Sequence, residues 1–296
     1  GDTIRVSLTE DSVYEIPGAR AIADKAMSLW SDAPSANVRN TNIAGGHDSI
    51  DPYHFTRRET ATLQLSARCA VGPEQPPRVI VHSTLAGFAG AAQALAAPRL
   101  KDTPAEGLLV PVASPGDLAT LCETVGRIPL PVDFLALELG ATLTPDVLQP
   151  LLAMSKGRLM LVRRFAAGES APLIAFAELV RRHGHFLAVE INPDDFGPYE
   201  AVVRQLGDAG LIFTLSDFGA AAGHSLGAYR RLLEHLKSAG SMAPVWIRNT
   251  TATAVKSDPV FLSKLLEASF LTGGLLCDGL GDLVSIETEA DPARAV

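Results

Sequence analysis

The sequence predicts an α/β domain of the (β/α)8, TIM-barrel-like class, with room for irregular repeats. Three observations carry the prediction. Eight short apolar runs recur along the chain, helical stretches separate them, and the length suits one such domain. The runs are VIVHS (79–83), LLVPV (108–112), FLALEL (134–139), LMLVRR (159–164), FLAVEI (186–191), LIFTLSD (211–217), PVWIRNT (244–250) and GGLLCD (273–278). They are rich in Val, Ile, Leu and Phe and lack clean alternation, which suits strands covered on both faces. The stretches between them (86–97, 115–125, 144–155, 169–183, 197–208, 225–239 and 258–270) have helical composition. Strand–helix alternation implies parallel pairing, because a crossover helix returns the chain to the same end of the sheet. With 296 residues, 47% of them hydrophobic, the chain accommodates a barrel of about 250 residues. An open doubly wound sheet is the rival, and no glycine-rich nucleotide loop supports it.

The segments ahead of the first run are less regular. Ile16, Ala19, Ile22, Ala23, Ala26 and Trp30 fall at helical spacing within 16–31. Residues 32–58 hold Pro34, Gly45, Gly46, Pro52 and several Asn and Asp, which is loop chemistry. The strand-like TATLQLSARCA (60–70) reads as a plug or floor for the barrel. The division expected is a strand and helix over 1–31, a linker over 32–58 and the barrel over 59–296. Residues 1–11 (GDTIRVSLTED) echo 281–291 (GDLVSIETEAD), and Arg39-Asn40-Thr41 echoes Arg248-Asn249-Thr250. A strand-like pattern that starts at Gly1 without Met suggests an internal boundary of a longer protein, and the echoes suggest two related barrels.

Composition excludes several classes. The net charge of −8 and dispersed Arg pairs argue against nucleic acid. No apolar run reaches the roughly 20 residues of a membrane helix, and no signal peptide is visible. Cys69, Cys122 and Cys277 are widely spaced with no C-x-x-C, so neither a disulfide framework nor a cysteine-held metal is expected. A reducing, cytoplasmic setting follows.

Chemistry in a barrel of this kind sits at the C-terminal ends of the strands. Those ends supply His82, Ser83, Glu138, Arg163, Arg164, Glu190, Asn192, Ser216, Asp217, Arg248, Asn249 and Asp278. Arg163, Glu190, Asn192, Arg248, Asn249 and Asp278 form the candidate anion-binding ring, since arginines with amides suit a diphosphate. Glu190 with Asp217 could exchange protons if one were desolvated. Polar strand ends are also what wet loops require, and ion pairs such as Arg163–Glu190 or Arg248–Asp278 would satisfy them with no ligand. His183-Gly184-His185 could ligate a metal, but it lies where a helix gives way to a strand, so a solvated turn is the simpler reading. The aromatic and cationic DPYHFTRRET is either a docking strip or a packed connection. Cys277 reads as a buried thiol at a strand end.

The stretch GDTIRVSLTEDSVYEIPGARAIAD resembles the end of the catalytic barrel in 4-hydroxy-3-methylbut-2-enyl diphosphate synthase. DPYHFTRRET and LLCDGLGDLVSIETE resemble the middle domain of that family's large, three-domain form. Residues 84–240 match nothing that can be quoted. The resemblance implies a fragment of a bacterial iron–sulfur oxidoreductase of the non-mevalonate isoprenoid pathway. That enzyme opens 2-C-methyl-D-erythritol 2,4-cyclodiphosphate reductively, with electrons from flavodoxin or ferredoxin passing through a [4Fe-4S] cluster. The family's cluster ligands, three cysteines and a glutamate, have no matching motif here, so none is carried over. Arg5 and Ser7 align near the catalytic barrel's substrate pocket. The insert itself would be a spacer that partners the catalytic barrel and the iron–sulfur domain of its own protein. A barrel with its own diphosphate site, or a docking module for the electron donor, are the alternatives; net acidity disfavours the last.

Overall fold

The computed structural model describes residues 3–6, 13, 15–31, 56–155, 157–216, 225–251, 253 and 261–296. Eight parallel strands form its centre: β3 (Arg78–His82), β4 (Gly107–Val112), β5 (Phe134–Leu139), β6 (Leu159–Arg164), β7 (Phe186–Ile191), β8 (Leu211–Leu215), β9 (Trp246–Asn249) and β10 (Leu283–Ile286). They pair in sequence order, and β10 returns to pair with β3. A single parallel bridge, Phe213 to Val245, joins β8 to β9 and completes the circle. This is the expected (β/α)8 barrel, nearly closed.

Burial splits each strand into two faces, as the two-residue period requires. Ile80, Leu109, Phe134, Ala136, Met160, Val162, Ala188, Ile212, Trp246 and Leu283 fill the interior as one cluster. Leu108, Val110, Leu135, Leu137, Leu161, Val189 and Phe213 belong to a second cluster, beneath the helices. Both faces are therefore apolar, which is why the sequence runs show no alternation.

A short antiparallel hairpin, β1 (Leu63–Gln64) with β2 (Ala70–Val71), floors the barrel. Leu63, Leu65, Cys69 and Val71 join the interior cluster, and Arg78 at the start of β3 donates to the Ala70 carbonyl at 2.8 Å. Arg58 is tied beneath the barrel too, donating to the carbonyls of Ala243 at 2.9 Å and Ser241 at 3.1 Å. Arg57 reaches the Gly72 carbonyl at 3.2 Å. These two arginines are structural anchors of the barrel, and the rest of the 32–58 stretch up to Phe55 lies outside the described residues.

The outer helices are α2 (Phe88–Leu95), α3 (Pro115–Val125), α4 (Pro145–Met154), α5 (Ser170–His183), α6 (Glu200–Leu206), α7 (Ser225–Ser238), α8 (Phe261–Ala268) and α9 (Gly274–Cys277). Local chemistry sets their ends. Ser114 and Asp117 form a reciprocal capping box ahead of α3, with Pro115 in its first turn. Gly184, at φ 71°, closes α5 in the left-handed conformation. No helix among the described residues is long and apolar enough to cross a membrane.

The last strand departs from expectation. GGLLCD is helical: a π-helical stretch (Ser269–Gly273) leads into α9, and Asp278 follows it. The eighth strand is LVSI, after a turn through Gly279 and Gly281 at φ 76° and 104°. An unalternating apolar run of that length suits a buried helix as well as a strand, so pattern alone did not separate them. Ahead of the barrel, α1 (Glu15–Ser31) packs against α8. Residues 3–6 form no strand; the rest of the 1–11 echo apart from these residues, Ser7 among it, and Arg39 to Thr41 lie outside the described residues.

Candidate functional site at the barrel mouth

Alternation extends the interior face to His82, Glu138, Arg164, Glu190, Thr214, Arg248 and Ser285. Arg248 is the centre of this mouth. Its side chain is 3% exposed and contacts three carboxylates. Its Nε donates to Glu287 at 2.7 Å, and its Nη2 donates to Glu287 at 2.8 Å and to Glu138 at 2.7 Å. Its Nη1 donates to Glu190 at 3.2 Å. The guanidinium also lies over the Trp246 ring, 4.9 Å from its centroid, and Ser285 links the Trp246 indole N–H to Glu287.

Charge and burial compete here. Burial works against the Arg248 cation, but the carboxylates of Glu287, Glu138 and Glu190 overcome it and hold its pKa well above the ordinary range. Glu190 shows the opposite balance. Burial pushes it up to about 7; Arg248 opposes the shift, and Glu138 and Glu287 reinforce it. The mouth thus contains one carboxyl able to exchange a proton near neutrality and one cation engaged by the protein's own acids.

The six residues of the anticipated ring do not converge. Only Glu190 and Arg248 meet. Arg163 turns outward, its guanidinium 4.7 Å from the Phe165 ring centroid and 4.6 Å from that of Phe176, and pairs with Glu169 at 3.3 Å. Asn192 caps a 3-10 turn, accepting from the Asp194 amide at 3.1 Å. Asn249 is buried and donates to Thr272 at 2.6 Å and to the Ser285 carbonyl at 3.1 Å. Asp278 precedes β10 instead of ending a strand, and pairs with Arg230 at 2.7 Å. Arg5 is exposed; Ser7 and Asp217 lie outside the described residues.

Glu287 is the residue that sequence reasoning missed. Once LVSI is the strand, Leu283, Ser285 and Glu287 alternate onto the inner face, so the signal was present but attached to the wrong run. His185 is likewise not in a solvated turn. It is 4% exposed; its Nδ1 accepts from the Leu159 amide at 3.1 Å and its Nε2 faces the Leu152 carbonyl at 2.9 Å. Both ring nitrogens are engaged by backbone, so His185 is a clamp between α4, β6 and β7.

No group of three His, Cys, Asp or Glu among the described residues is arranged to hold a metal. Cys69 is buried in the floor, and Cys122 on α3 and Cys277 on α9 are exposed. Cys277 is therefore neither at a strand end nor buried. The three cysteines do not come together as a ligand group among the described residues.

No protein-family model matches the chain. Over 293 residues it is 25% identical to a protein of Leptospira interrogans named 4-hydroxy-3-methylbut-2-en-1-yl diphosphate synthase (flavodoxin). The match covers 97% of this chain and 41% of the relative. A protein of the same name from Chlorobaculum tepidum is 25% identical over 317 residues, covering 100% of this chain and 41% of the relative. The chain is similar to 4-hydroxy-3-methylbut-2-en-1-yl diphosphate synthases. The resemblance seen in its terminal stretches extends through residues 84–240, and the chain spans about two fifths of the length of these relatives, 41% in each case. Among solved structures, the dihydropteroate synthase of Yersinia pestis superposes with a TM-score of 0.44 at 13% identity, covering 77% of this chain and 91% of that one. An uncharacterized B. cereus protein gives 0.43 at 12% identity, covering 74% and 63%. Neither likeness carries a functional argument.

Proposed function

We propose that this barrel is a non-catalytic spacer inside a larger cytoplasmic 4-hydroxy-3-methylbut-2-enyl diphosphate synthase. The parent would reduce 2-C-methyl-D-erythritol 2,4-cyclodiphosphate with electrons from flavodoxin or ferredoxin, through a [4Fe-4S] cluster held outside this chain. The observation that carries the spacer reading is the state of Arg248. In a diphosphate site that guanidinium would face the ligand; here Nε, Nη1 and Nη2 all donate to Glu138, Glu190 and Glu287. Trp246 and the apolar interior fill the space below. A packed barrel whose central cation is already engaged by its own acids sets a fixed distance between the units on either side of it, which a flexible linker would blur.

The test is complementation of a strain lacking the synthase. The full-length parent is compared with a form lacking residues 56–288. Loss of rescue, with both remaining units folded, supports the spacer; rescue by the deleted form overturns it. A second reading, a barrel with its own anion site, draws on one atom: Nη1 of Arg163 is buried without a hydrogen-bond partner. A thermal shift with inorganic diphosphate that Arg163→Met abolishes would favour that reading.

A further inference from the structure

The three carboxylates at the mouth are not held alike. Glu287 has two contacts to Arg248 and a third from the Ser285 hydroxyl at 2.8 Å, and is 9% exposed. Glu190 has one contact to Arg248, at 3.2 Å, and is 19% exposed. Glu138 shares Nη2 with Glu287 and at 33% is the most exposed of the three. The groups facing Glu190 are Arg248 from β9, Glu138 from β5, Glu287 beyond β10 and Arg164 from β6; His82 shares the inner face on β3.

We propose that Glu190 exchanges a proton and that its charge decides whether Glu138 stays on Arg248, making the mouth a pH-sensitive latch. With Glu190 neutral, one guanidinium binds two carboxylates. With Glu190 ionised, three like charges surround a guanidinium that is itself shielded from water, and repulsion among partly buried carboxylates is less screened than at an open surface. The group released is the one with least to lose, and Glu138 alone combines a shared donor with access to solvent. The elevated Glu190 value places the exchange near neutrality. The latch is independent of whether the barrel acts as a spacer.

The test is carboxyl-carbon NMR of the whole chain with labelled Glu, followed from about pH 3 to about pH 9, a range spanning the ordinary and the raised carboxyl. One carboxyl titrates near neutrality, and the Glu138 resonance, assigned with Glu138→Gln, moves with the same midpoint. Both transitions vanish in Glu190→Gln. Hydrogen exchange of the wild-type β5 end, corrected for intrinsic rate, quickens several-fold across the same range and needs no variant. The latch is overturned if every Glu titrates in the ordinary range, if the neutral transition survives Glu190→Gln, or if Glu138 does not follow it.

Discussion

Arg248 and Glu287 form a two-point ion pair across adjacent strands, with Nε–Oε1 at 2.7 Å and Nη2–Oε2 at 2.8 Å. The Glu287 amide donates to the Asn249 carbonyl at 2.8 Å, so the backbone ladder continues one position past β10 and fixes the carboxylate. A planar fork meeting a planar carboxylate loses little entropy per bond.

Removing the cation is expected to cost much more than removing any one acid. Arg248→Met leaves three carboxylates in a buried cluster without compensation and is expected to lose about 3–5 kcal/mol. Glu138→Gln removes the most exposed partner and is expected to lose less than about 1 kcal/mol. Urea unfolding of the two variants checks the ranking, and equal losses would refute a central role for Arg248.

The sequence made the barrel legible through its runs, and seven of the eight strands sit where those runs lie. GGLLCD misled because an apolar stretch without alternation does not distinguish a helix from a strand, and that error carried Asp278 into the candidate site and kept Glu287 out. Arg163 misled differently. It is one residue from the inward position, and a one-residue offset on a strand moves a side chain to the other face. Arg248 and Glu190 were legible because both lie in strands whose phase the flanking apolar residues set.

The β8–β9 seam depends on a side chain. Tyr229 of α7 inserts its hydroxyl there, accepting from the Arg248 amide at 2.7 Å and donating to the Trp246 carbonyl at 3.1 Å. It supplies backbone partners where β8 makes only one bridge. Burial pushes the phenol up to about 12, so it stays protonated at neutral pH. Tyr229→Phe strands both backbone groups and is expected to cost about 1–3 kcal/mol. Hydrogen exchange at the Arg248 amide should accelerate while that of β4 and β5 does not.

His185 gives an acid sensitivity of opposite sign to Glu190. Burial lowers its pKa despite the bond to Leu152, so the folded state holds the neutral ring more firmly than the unfolded chain does. Its contribution is present above the unfolded value of about 6.5 and is lost as pH falls through the lower folded value. Glu190 is raised, so its contribution is present at low pH and is lost as pH rises towards about 7. Melting temperature against pH in a Glu190→Gln background removes the opposing Glu190 contribution, and the difference made by adding His185→Phe isolates His185: stability should fall on acidification, and His185→Phe should flatten the fall at a lower overall stability.

Gly140 tests whether the strand ends that carry Glu138 are rigid. A methyl group at this position would lie 2.4 Å from the Ala113 carbonyl oxygen and 2.8 Å from the Ala113 Cα, both backbone. The same loop is tied to β4 by the Gly140 amide on the Val112 carbonyl at 2.8 Å and by the Thr142 hydroxyl on the Ala113 carbonyl at 2.8 Å. Gly140→Ala must therefore push the end of β5 away from β4, and overpacking of this kind costs about 1–3 kcal/mol. Gly168 is the control, at φ 91° with nothing within 4 Å of an added methyl; its alanine variant meets only backbone strain, about 1 kcal/mol. Unfolding of both variants measures the difference, and carboxyl NMR of Gly140→Ala reads the mouth. A larger loss at Gly140, with an altered Glu138 resonance, ties the mouth to the β4–β5 contact. Equal losses with an unchanged Glu138 would mean that the loop yields and the acid cluster holds itself together.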